Sequence, residues 1–529
     1  MPEDLVDIAE NTMRGGFFLF AGNVLSTMIL AIGSIIVARL LGPENYGLYS
    51  LALVVPSILV GLIDLGVSSA MTRFSAKLRV EGKNTHAARI LRIGFFFKLL
   101  LGVSMSVVCF VFSDSLATII LDRSEMAFLV RLASPLILFQ AILEVSYSAF
   151  IGLDAMKSNA LVMNLQSTVK TILSPSLIIV GFGVIGALIG HISGYIAADL
   201  TGSFLLFKHY RRLGKSSHNG SSDTLKVMLS YGLPLYFSAL LFLFLGQYRN
   251  IILAYYASDI EIGNFNVAVI LSSTVNILVF PLSVLFPAFS RLNPNTSSLE
   301  KTFKLSVKYT AMAIVPASIL VTITSRELVQ TFYGQRYDSA PFFLSLYILT
   351  FLCSGLGSMV LGHLLNGLGE TKTMFKANLI GALTLIPLAL LSMMFRGVPG
   401  LIVALLISSI SSLAYQLFII AKKFNLRIDA KSSLKIYLAA LLSAMPLLIF
   451  LQLSPLGGLL NLLLGGTLYL ATFLTIAPIT KAVTKEDLIN LRTILNRITF
   501  LHFLTELVFN YEEAIFNLIK SKDSSKTGV

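Results

Sequence analysis

Long apolar runs recur along the whole chain, and they constrain its fold more than any other feature. Runs such as 17–40 and 138–151 approach or exceed the roughly 20 residues that a helix needs to cross a bilayer. Within lipid, backbone polar groups must bond inside their own segment, so such runs predict helices. They lack the alternation of apolar and polar residues that barrel strands need. The sequence therefore predicts an all-α, polytopic membrane protein.

The number of these runs predicts about fourteen transmembrane helices. Charged residues make up only 13% of the chain, against about 25% in a soluble domain, so a water-soluble core could not accommodate the apolar sequence. The predicted helices are 17–40, 47–71, 93–112, 132–152, 161–180, 185–207, 227–248, 262–289, 309–324, 341–365, 377–395, 400–421, 436–453 and 458–480.

The distribution of basic residues predicts the orientation of these helices. With a cytoplasmic N-terminus, 31 of the 40 Lys and Arg lie in cytoplasmic segments and six lie outside. This asymmetry follows the positive-inside rule and places both termini in the cytoplasm. It also explains the net charge of +13 without a nucleic-acid partner. We expect a cell-membrane protein with no removable signal peptide, and no glycan on Asn219 or Asn295.

Three short sequence matches at nearly one offset indicate an internal repeat. The pairs are Gly47–Val55 with Gly263–Leu271, Gly152–Lys157 with Gly367–Lys372, and Gly183–Gly186 with Gly397–Gly400. Because six crossings return a chain to its starting side, helices 1–6 and 7–12 are predicted to form two pseudo-symmetric bundles of the same orientation. The predicted segments are a cytoplasmic N-terminal segment 1–16, a lobe 17–207, a linker 208–226, a second lobe 227–421, helices 13 and 14 over 436–480, and a cytoplasmic amphipathic helix with a tail over 481–529.

Two stretches of the first half carry a family resemblance. The stretch Ala38–Ser50, which contains Leu-Gly-Pro-Glu-Asn-Tyr-Gly, and the stretch Ile63–Ser69 resemble the start of polysaccharide-type flippases of the multidrug/oligosaccharidyl-lipid/polysaccharide exporter superfamily. Tyr231–Leu235 and Phe286–Arg291 are similar to the second half of that family. The resemblance implies two six-helix lobes around a central cavity, alternating access and a lipid-linked sugar as cargo.

Six ionisable residues fall inside the apolar runs, where a central charge costs about 2.5–3.5 kcal/mol on insertion scales. They are Arg39, Asp64, Lys98, Glu144, Lys170 and Asp199, all in the first repeat. The second half offers neutral polar groups, chiefly Asn266 and Asn276. This asymmetry predicts a cationic cavity that receives an anionic headgroup, with neutral side chains on the sugars.

Lys170 is the predicted receptor for the headgroup, helped by Lys98 and Arg39. A buried ammonium needs an acidic neighbour to stay charged, and Glu144 is the first choice for that neighbour and Asp64 the second. Snorkelling to the membrane surface is an alternative for Arg39 and Lys98. A helix-pairing role is an alternative for Asp64 and Asp199.

The remaining motifs do not predict an enzyme. Gly181–Gly186 fits G-x-G-x-x-G, yet it joins two membrane helices and follows no strand, so it predicts a helical hairpin. The six histidines never occur at metal-ligand spacing, and Cys109 and Cys353 lie in apolar segments, so no metal or other cofactor is expected. Thr484–Asp487 resembles a capping box that starts an amphipathic helix reaching towards Lys520.

These observations favour a flippase that moves a polyprenyl-diphosphate-linked oligosaccharide from the cytoplasmic to the outer leaflet. The expected partners are this substrate, membrane lipids and sugar-assembly enzymes of the same pathway. A coupling ion or the membrane potential is left open as the energy source. Two alternatives remain, a cation-coupled multidrug exporter of the same superfamily and a noncatalytic membrane scaffold.

Overall fold

A computed structural model describes residues 3–213, 221–276, 289, 296–495, 511–513 and 515. Every regular element in these residues is helical, which confirms the predicted all-α class. The first elements are α1 Glu3–Ala52, α2 Val54–Ile63, α3 Val67–Val80, α4 Asn84–Val111, α5 Ser113–Leu121, α6 Ala127–Ala133, α7 Pro135–Gly152, α8 Met156–Leu177, α9 Gly183–Arg212, α10 Ser221–Tyr256 and α11 Asp259–Asn276. The later elements are α12 Ser297–Ile323, α13 Ser325–Phe332, α14 Ala340–Tyr347, α15 Leu349–Leu352, α16 Ser358–Gly367, α17 Thr371–Phe424, α18 Ala430–Leu453, α19 Gly458–Ile479 and α20 Lys485–Leu495.

Eight helical stretches among the described residues are long and apolar enough to cross a membrane, and a ninth is bent by 51° at Gly357. Two of them, Met156–Arg211 and Thr371–Phe424, each contain two of the predicted spans, and Phe18–Ile63 covers nearly all of the first predicted span and most of the second. Predicted helix 7 lies in α10, and predicted helix 8 continues past residue 276, beyond the described residues. The helices are therefore consistent with about fourteen spans.

Glycines in conformations that other residues avoid separate these spans. Gly42 (φ 74°, ψ 171°) ends the first span, as the Gly-Pro corner predicts. A second break follows Asp64, where Leu65 and Gly66 both have positive φ. Predicted helix 47–71 is thus interrupted, and the segment 72–92 between predicted helices is largely helical, because α3 continues to Val80 and α4 begins at Asn84. The apolar face of α3 packs inward at Val67, Ala70 and Met71 while its basic residues stay exposed, which made the segment resemble a loop.

Equivalent positions of the two repeats share local backbone structure. Gly183 (φ 51°, ψ −131°) and Gly397 (φ 60°, ψ −148°) break the paired stretches Met156–Arg211 and Thr371–Phe424 at the same place. Asp154 and Gly369, which precede these stretches at the equivalent turn, both have positive φ. The matched sequences therefore fold alike, which supports the pseudo-symmetric arrangement.

The chain divides into two compact units, residues 1–266 and 267–529. This division falls inside α11, so the first unit contains α10 as well as the first six predicted spans; the proposed lobe boundaries remain a prediction. The core of the first unit is built from α3, α4, α7 and α9, including Met71, Leu91 and Phe150. In the second unit α18 and α19 pack on α12 around Tyr469.

The predicted capping box is present at the start of α20. The Thr484 backbone N–H donates to Asp487 Oδ2 at 2.8 Å, and the Asp487 N–H donates back to Thr484 Oγ1 at 3.3 Å. Lys308 on α12 pairs with the same buried carboxylate, so α20 is anchored to the second unit. The predicted continuation of this helix beyond residue 495 lies mostly outside the described residues.

Candidate functional site

Two carboxylates and a lysine meet inside the first unit, and we call them the Asp64–Lys98–Glu144 cluster. Lys98 Nζ lies 2.6 Å from Asp64 Oδ1 and 2.6 Å from Glu144 Oε2. The break after α2 positions Asp64, which also accepts a 2.5 Å hydrogen bond from the Ser68 hydroxyl at the start of α3. The Lys98 side chain has no exposed surface, whereas those of Asp64 and Glu144 are 28% and 41% exposed.

This pairing corrects the predicted neighbour of Lys170. Glu144 and Asp64 were expected to hold Lys170, but in the structure both form their ion pairs with Lys98. The cluster carries one net negative charge, and its exposed atoms belong mainly to the carboxylates. The expectation that Lys98 contributes positive charge to an open cavity is therefore wrong for this conformation, because its ammonium is enclosed by its two partners.

Lys170 instead contacts a histidine. Its Nζ lies 3.3 Å from Nε2 of buried His191, and the other ring nitrogen, Nδ1, lies 2.8 Å from the Tyr49 hydroxyl. An ammonium can only donate, so Nε2 must accept and the proton of the neutral ring is assigned to Nδ1, where it donates to Tyr49. No carboxylate among the described residues lies within ion-pair distance of Lys170, so its charge is not neutralised by an acid there.

A cavity of about 350 Å³ opens beside the carboxylates of the cluster. Its polar lining consists of Asp64, Ser68, Glu144, Tyr147, Ser148 and Tyr236. Carboxylates accept hydrogen bonds, hydroxyls donate and accept, and tyrosine rings offer apolar faces, so this wall suits a ligand rich in hydroxyl groups. Its hydroxyl groups were not predicted from the sequence, although the spacing of Glu144, Tyr147 and Ser148 places them on one face of a helix.

A larger apolar cavity of about 570 Å³ adjoins the polar one. Both cavities are lined by Leu240 and Leu243 of α10. The remaining wall is almost entirely apolar and includes Ile58, Phe237 and Gln247. The first unit therefore holds a polar and an apolar compartment side by side, which is the arrangement that an amphipathic ligand requires.

The other predicted site residues lie elsewhere. Arg39 is exposed on α1 and lines neither cavity. Asn266 is half-buried on α11, and the side chain of Asn276 lies outside the described residues. Asp199 is buried, with neither carboxylate oxygen hydrogen-bonded to a described residue. The residues that the structure describes contain no group of three His, Cys, Asp or Glu that could hold a metal ion.

Equivalent residues of the two repeats also contact each other reciprocally. A methyl group on Gly47 would collide with the carbonyl of Asp259, and one on Gly263 would collide with the carbonyl of Pro43. Gly47 and Gly263 are repeat mates, as are Pro43 and Asp259. Arg123 reinforces the contact by pairing with Asp259 and donating to the Ala254 carbonyl at 2.9 Å. Two pseudo-symmetric backbone contacts thus hold α1 against the start of α11.

Comparison with known families decides the classification. The family model described as "Polysaccharide biosynthesis protein" matches residues 12–293, more than half of the 529 residues. The chain belongs to this family. This confirms the resemblance seen in the sequence, and the matched region includes the whole cluster and both cavities.

Two curated relatives of this family member are bacterial. The succinoglycan biosynthesis transport protein ExoT of Rhizobium meliloti (strain 1021) is 22% identical over 317 residues, which cover 58% of this chain and 59% of ExoT. The lipopolysaccharide biosynthesis protein WzxC of Escherichia coli (strain K12) is 20% identical over 419 residues, covering 79% and 82% of the two chains. The match to ExoT thus spans less than two thirds of that protein.

Two solved structures share the fold of this family member. The lipid II flippase MurJ in an inward closed conformation aligns with a TM-score of 0.69 at 17% identity, covering 88% of this chain and 98% of MurJ. An inward-facing multidrug resistance MATE family transporter of the MOP superfamily aligns with a TM-score of 0.62 at 18% identity, covering 74% and 93%. At these identities the likeness establishes the transporter fold alone.

Proposed function

We propose that this protein is a flippase that carries a polyprenyl-diphosphate-linked oligosaccharide from the cytoplasmic to the outer leaflet by alternating access. The observation that carries the proposal is the polar cavity adjoining an apolar cavity in a multi-pass member of a polysaccharide biosynthesis family. A lipid-linked sugar has a polar head and an apolar tail, so it needs both compartments. ExoT is named as a succinoglycan biosynthesis transport protein and MurJ as a lipid II flippase, which supports the proposal.

In this proposal the polar cavity holds the sugars. The carboxylates of Asp64 and Glu144 accept hydrogen bonds from sugar hydroxyls, and Tyr236 offers both a hydroxyl and a ring face. Lys98 acts as a positioning residue, because its two ion pairs fix the orientation of both carboxylates. Asn266 and Asn276 remain proposed contributors of neutral polar groups from the second repeat.

Lys170 remains the proposed receptor for the diphosphate. Its described partner is a neutral imidazole, so an arriving phosphate would not have to displace a carboxylate. A phosphate accepts charge-assisted hydrogen bonds from an ammonium. Arg39 keeps the proposed role of an accessory cation at the outer end of the first span.

The reciprocal glycine contacts support the proposal of alternating access. The excess of Lys and Arg in the segments assigned to the cytoplasm supports an orientation with the Pro43–Gly47 corner at the outer side of a cell membrane and both termini inside. We propose that the Gly47–Asp259 and Gly263–Pro43 contacts close the outer side in this conformation. Pseudo-symmetric helices would then separate as a pair when that side opens.

A reconstituted translocation assay tests the proposal. Vesicles that contain the purified full chain and a candidate lipid-linked oligosaccharide are sampled for appearance of the sugar on the opposite leaflet. Lys170→Ala should abolish transport and Lys170→Arg should retain part of it, while the exposed lysine variant Lys422→Ala on α17 should transport normally. Normal transport by Lys170→Ala would refute the role of Lys170, and absence of transport for every lipid-linked sugar would refute the function.

One observation favours a second candidate, a cation-coupled multidrug exporter. Carboxylates are the charged groups that the polar cavity exposes, and these would attract organic cations as well as sugar hydroxyls. The same vesicles distinguish the two functions when loaded with an organic cation. Efflux of the cation under an imposed ion gradient, without sugar translocation, would support the exporter.

A further inference from the structure

A second apolar groove lies on the surface of the first unit, between α4 and α9. It encloses about 400 Å³, within the range of about 300–1,000 Å³ typical of small-molecule sites. Its floor is formed by Leu91 and Leu206, which are 1% and 8% exposed, and its rims by Phe96 and Phe207, each 60% exposed. It shares no lining residue with the polar or the apolar cavity described above.

One end of this groove is polar and basic. Along α9 the groove extends from Ser203 to Tyr210, about 10 Å at the helical rise of 1.5 Å per residue. Tyr210 lies in the last turn of α9, and Arg92 lines the same groove from α4. Arg92 forms no ion pair or hydrogen bond with any residue that the structure describes. A guanidinium with no anionic partner among the described residues thus lies beside a mainly apolar groove.

We propose that this groove binds one anionic phospholipid, with an acyl chain between Phe96 and Phe207 and the phosphate on Arg92. The exposed apolar rims face the hydrocarbon of the bilayer, so the chain can enter sideways. Arginine matches phosphate oxygens geometrically, and Tyr210 adds a hydroxyl at headgroup depth. A sugar-bearing lipid is the less suitable occupant, because the lining offers only Arg92, Ser203 and Tyr210 as polar groups.

The absence of tryptophan from the whole chain allows a site-specific test. Phe207→Trp introduces a single reporter in the groove, and lipids with brominated chains quench it when they bind beside it. Phe418→Trp on α17 is a matched control: Phe418 is 59% exposed and Lys422 lies 5.8 Å from its ring, while Arg211 lies 5.8 Å from the ring of Phe207. The two positions therefore differ chiefly in that position 207 lines the groove and position 418 does not.

Vesicles of phosphatidylcholine containing brominated phosphatidylglycerol or brominated phosphatidylcholine give the lipid preference at each position. We expect the preference for phosphatidylglycerol at position 207 to exceed that at position 418 about fivefold, the effect of the additional cation Arg92 near a lipid phosphate. Arg92→Gln should reduce the preference at position 207 to that at position 418. Lys208→Gln, which changes an exposed lysine of the same helix outside the groove, should leave most of it.

Three results would overturn the proposal. An equal preference at positions 207 and 418 would indicate diffuse attraction to the surface, as would an equal loss in Arg92→Gln and Lys208→Gln. Displacement of phosphatidylglycerol from position 207 by a small amount of polyprenyl phosphate would assign the groove to the carrier lipid instead. Because the readout is quenching rather than transport, these results are independent of the flippase assay.

Discussion

Removing the carboxylates of the Asp64–Lys98–Glu144 cluster singly and together should have very unequal effects on stability. In Asp64→Asn or Glu144→Gln, Lys98 keeps one ion pair, so we expect each change to cost about 1 kcal/mol, the typical value of a hydrogen bond. In the double variant the fully buried ammonium has no counter-charge. An uncompensated buried charge costs about 3–5 kcal/mol. In the double variant the new Asn and Gln side chains still offer amide oxygens to Lys98, so we expect a cost at the lower end of this range.

The effect of Lys98→Met on stability should therefore have opposite signs in the natural chain and in the double variant. In the natural chain it leaves two neighbouring carboxylates without a cation and destabilises the protein, although their partial exposure limits the loss. In the double variant it removes the unpaired charge and should restore most of the lost stability, because a well-packed apolar replacement of buried charges is often neutral or stabilising.

Equilibrium unfolding in mixed micelles measures these free energies. The free thiols of Cys109 and Cys353 are both buried, so a thiol-reactive dye reports their exposure as the chain unfolds. If the costs of the two single variants sum to the cost of the double variant within about 0.5 kcal/mol, the two sites are independent. That result, or destabilisation by Lys98→Met in the double variant, would refute the shared-lysine geometry.

Two further predictions concern the glycine contacts and the C-terminal segment. Gly47→Ala or Gly263→Ala should destabilise the contact with the opposite repeat by about 1–3 kcal/mol and increase labelling of a cysteine introduced at Ala257, which is buried beside Asp259. Gly246→Ala, whose added methyl has no described atom within 4 Å, should not increase it; unchanged labelling in the first two variants would argue against the contact as a gate. Burial and the nearby charge of Asp487 raise the pKa of Glu512 from its usual 4.5 to about 7. The carboxyl therefore binds its proton more tightly when the segment is packed, so packing should be strongest below about pH 4.5 and weaken as the pH rises through 7. Hydrogen-exchange protection factors around Tyr511, which correct for the intrinsic pH dependence of exchange, should follow this trend, and Glu512→Gln should remove it; a trend that persists in this variant would exclude Glu512 as its cause.

The sequence by itself determined the fold class, the family and the positions at which the main helices are interrupted. Long apolar runs leave helices as the available structure in lipid, so the all-α membrane fold was predictable. Gly42, Gly183 and Gly397 adopt conformations that only glycine accommodates easily. In the sequence Gly42 precedes a proline, and a repeat match pairs Gly183 with Gly397. The charged residues inside the apolar runs were also visible, because charge is costly there.

Only the tertiary structure decided which of these charged residues meet. Sequence position gives the height of a residue along its helix, but the rotation of each helix about its axis depends on how its neighbours pack. Lys170 was the predicted partner of Glu144, but the packing of α4 against α7 directs Lys98 towards it. Lys170 meets His191 because α8 packs on α9. The packing of α10 against α2 and the neighbouring helices creates the two adjoining cavities, which no single segment contains.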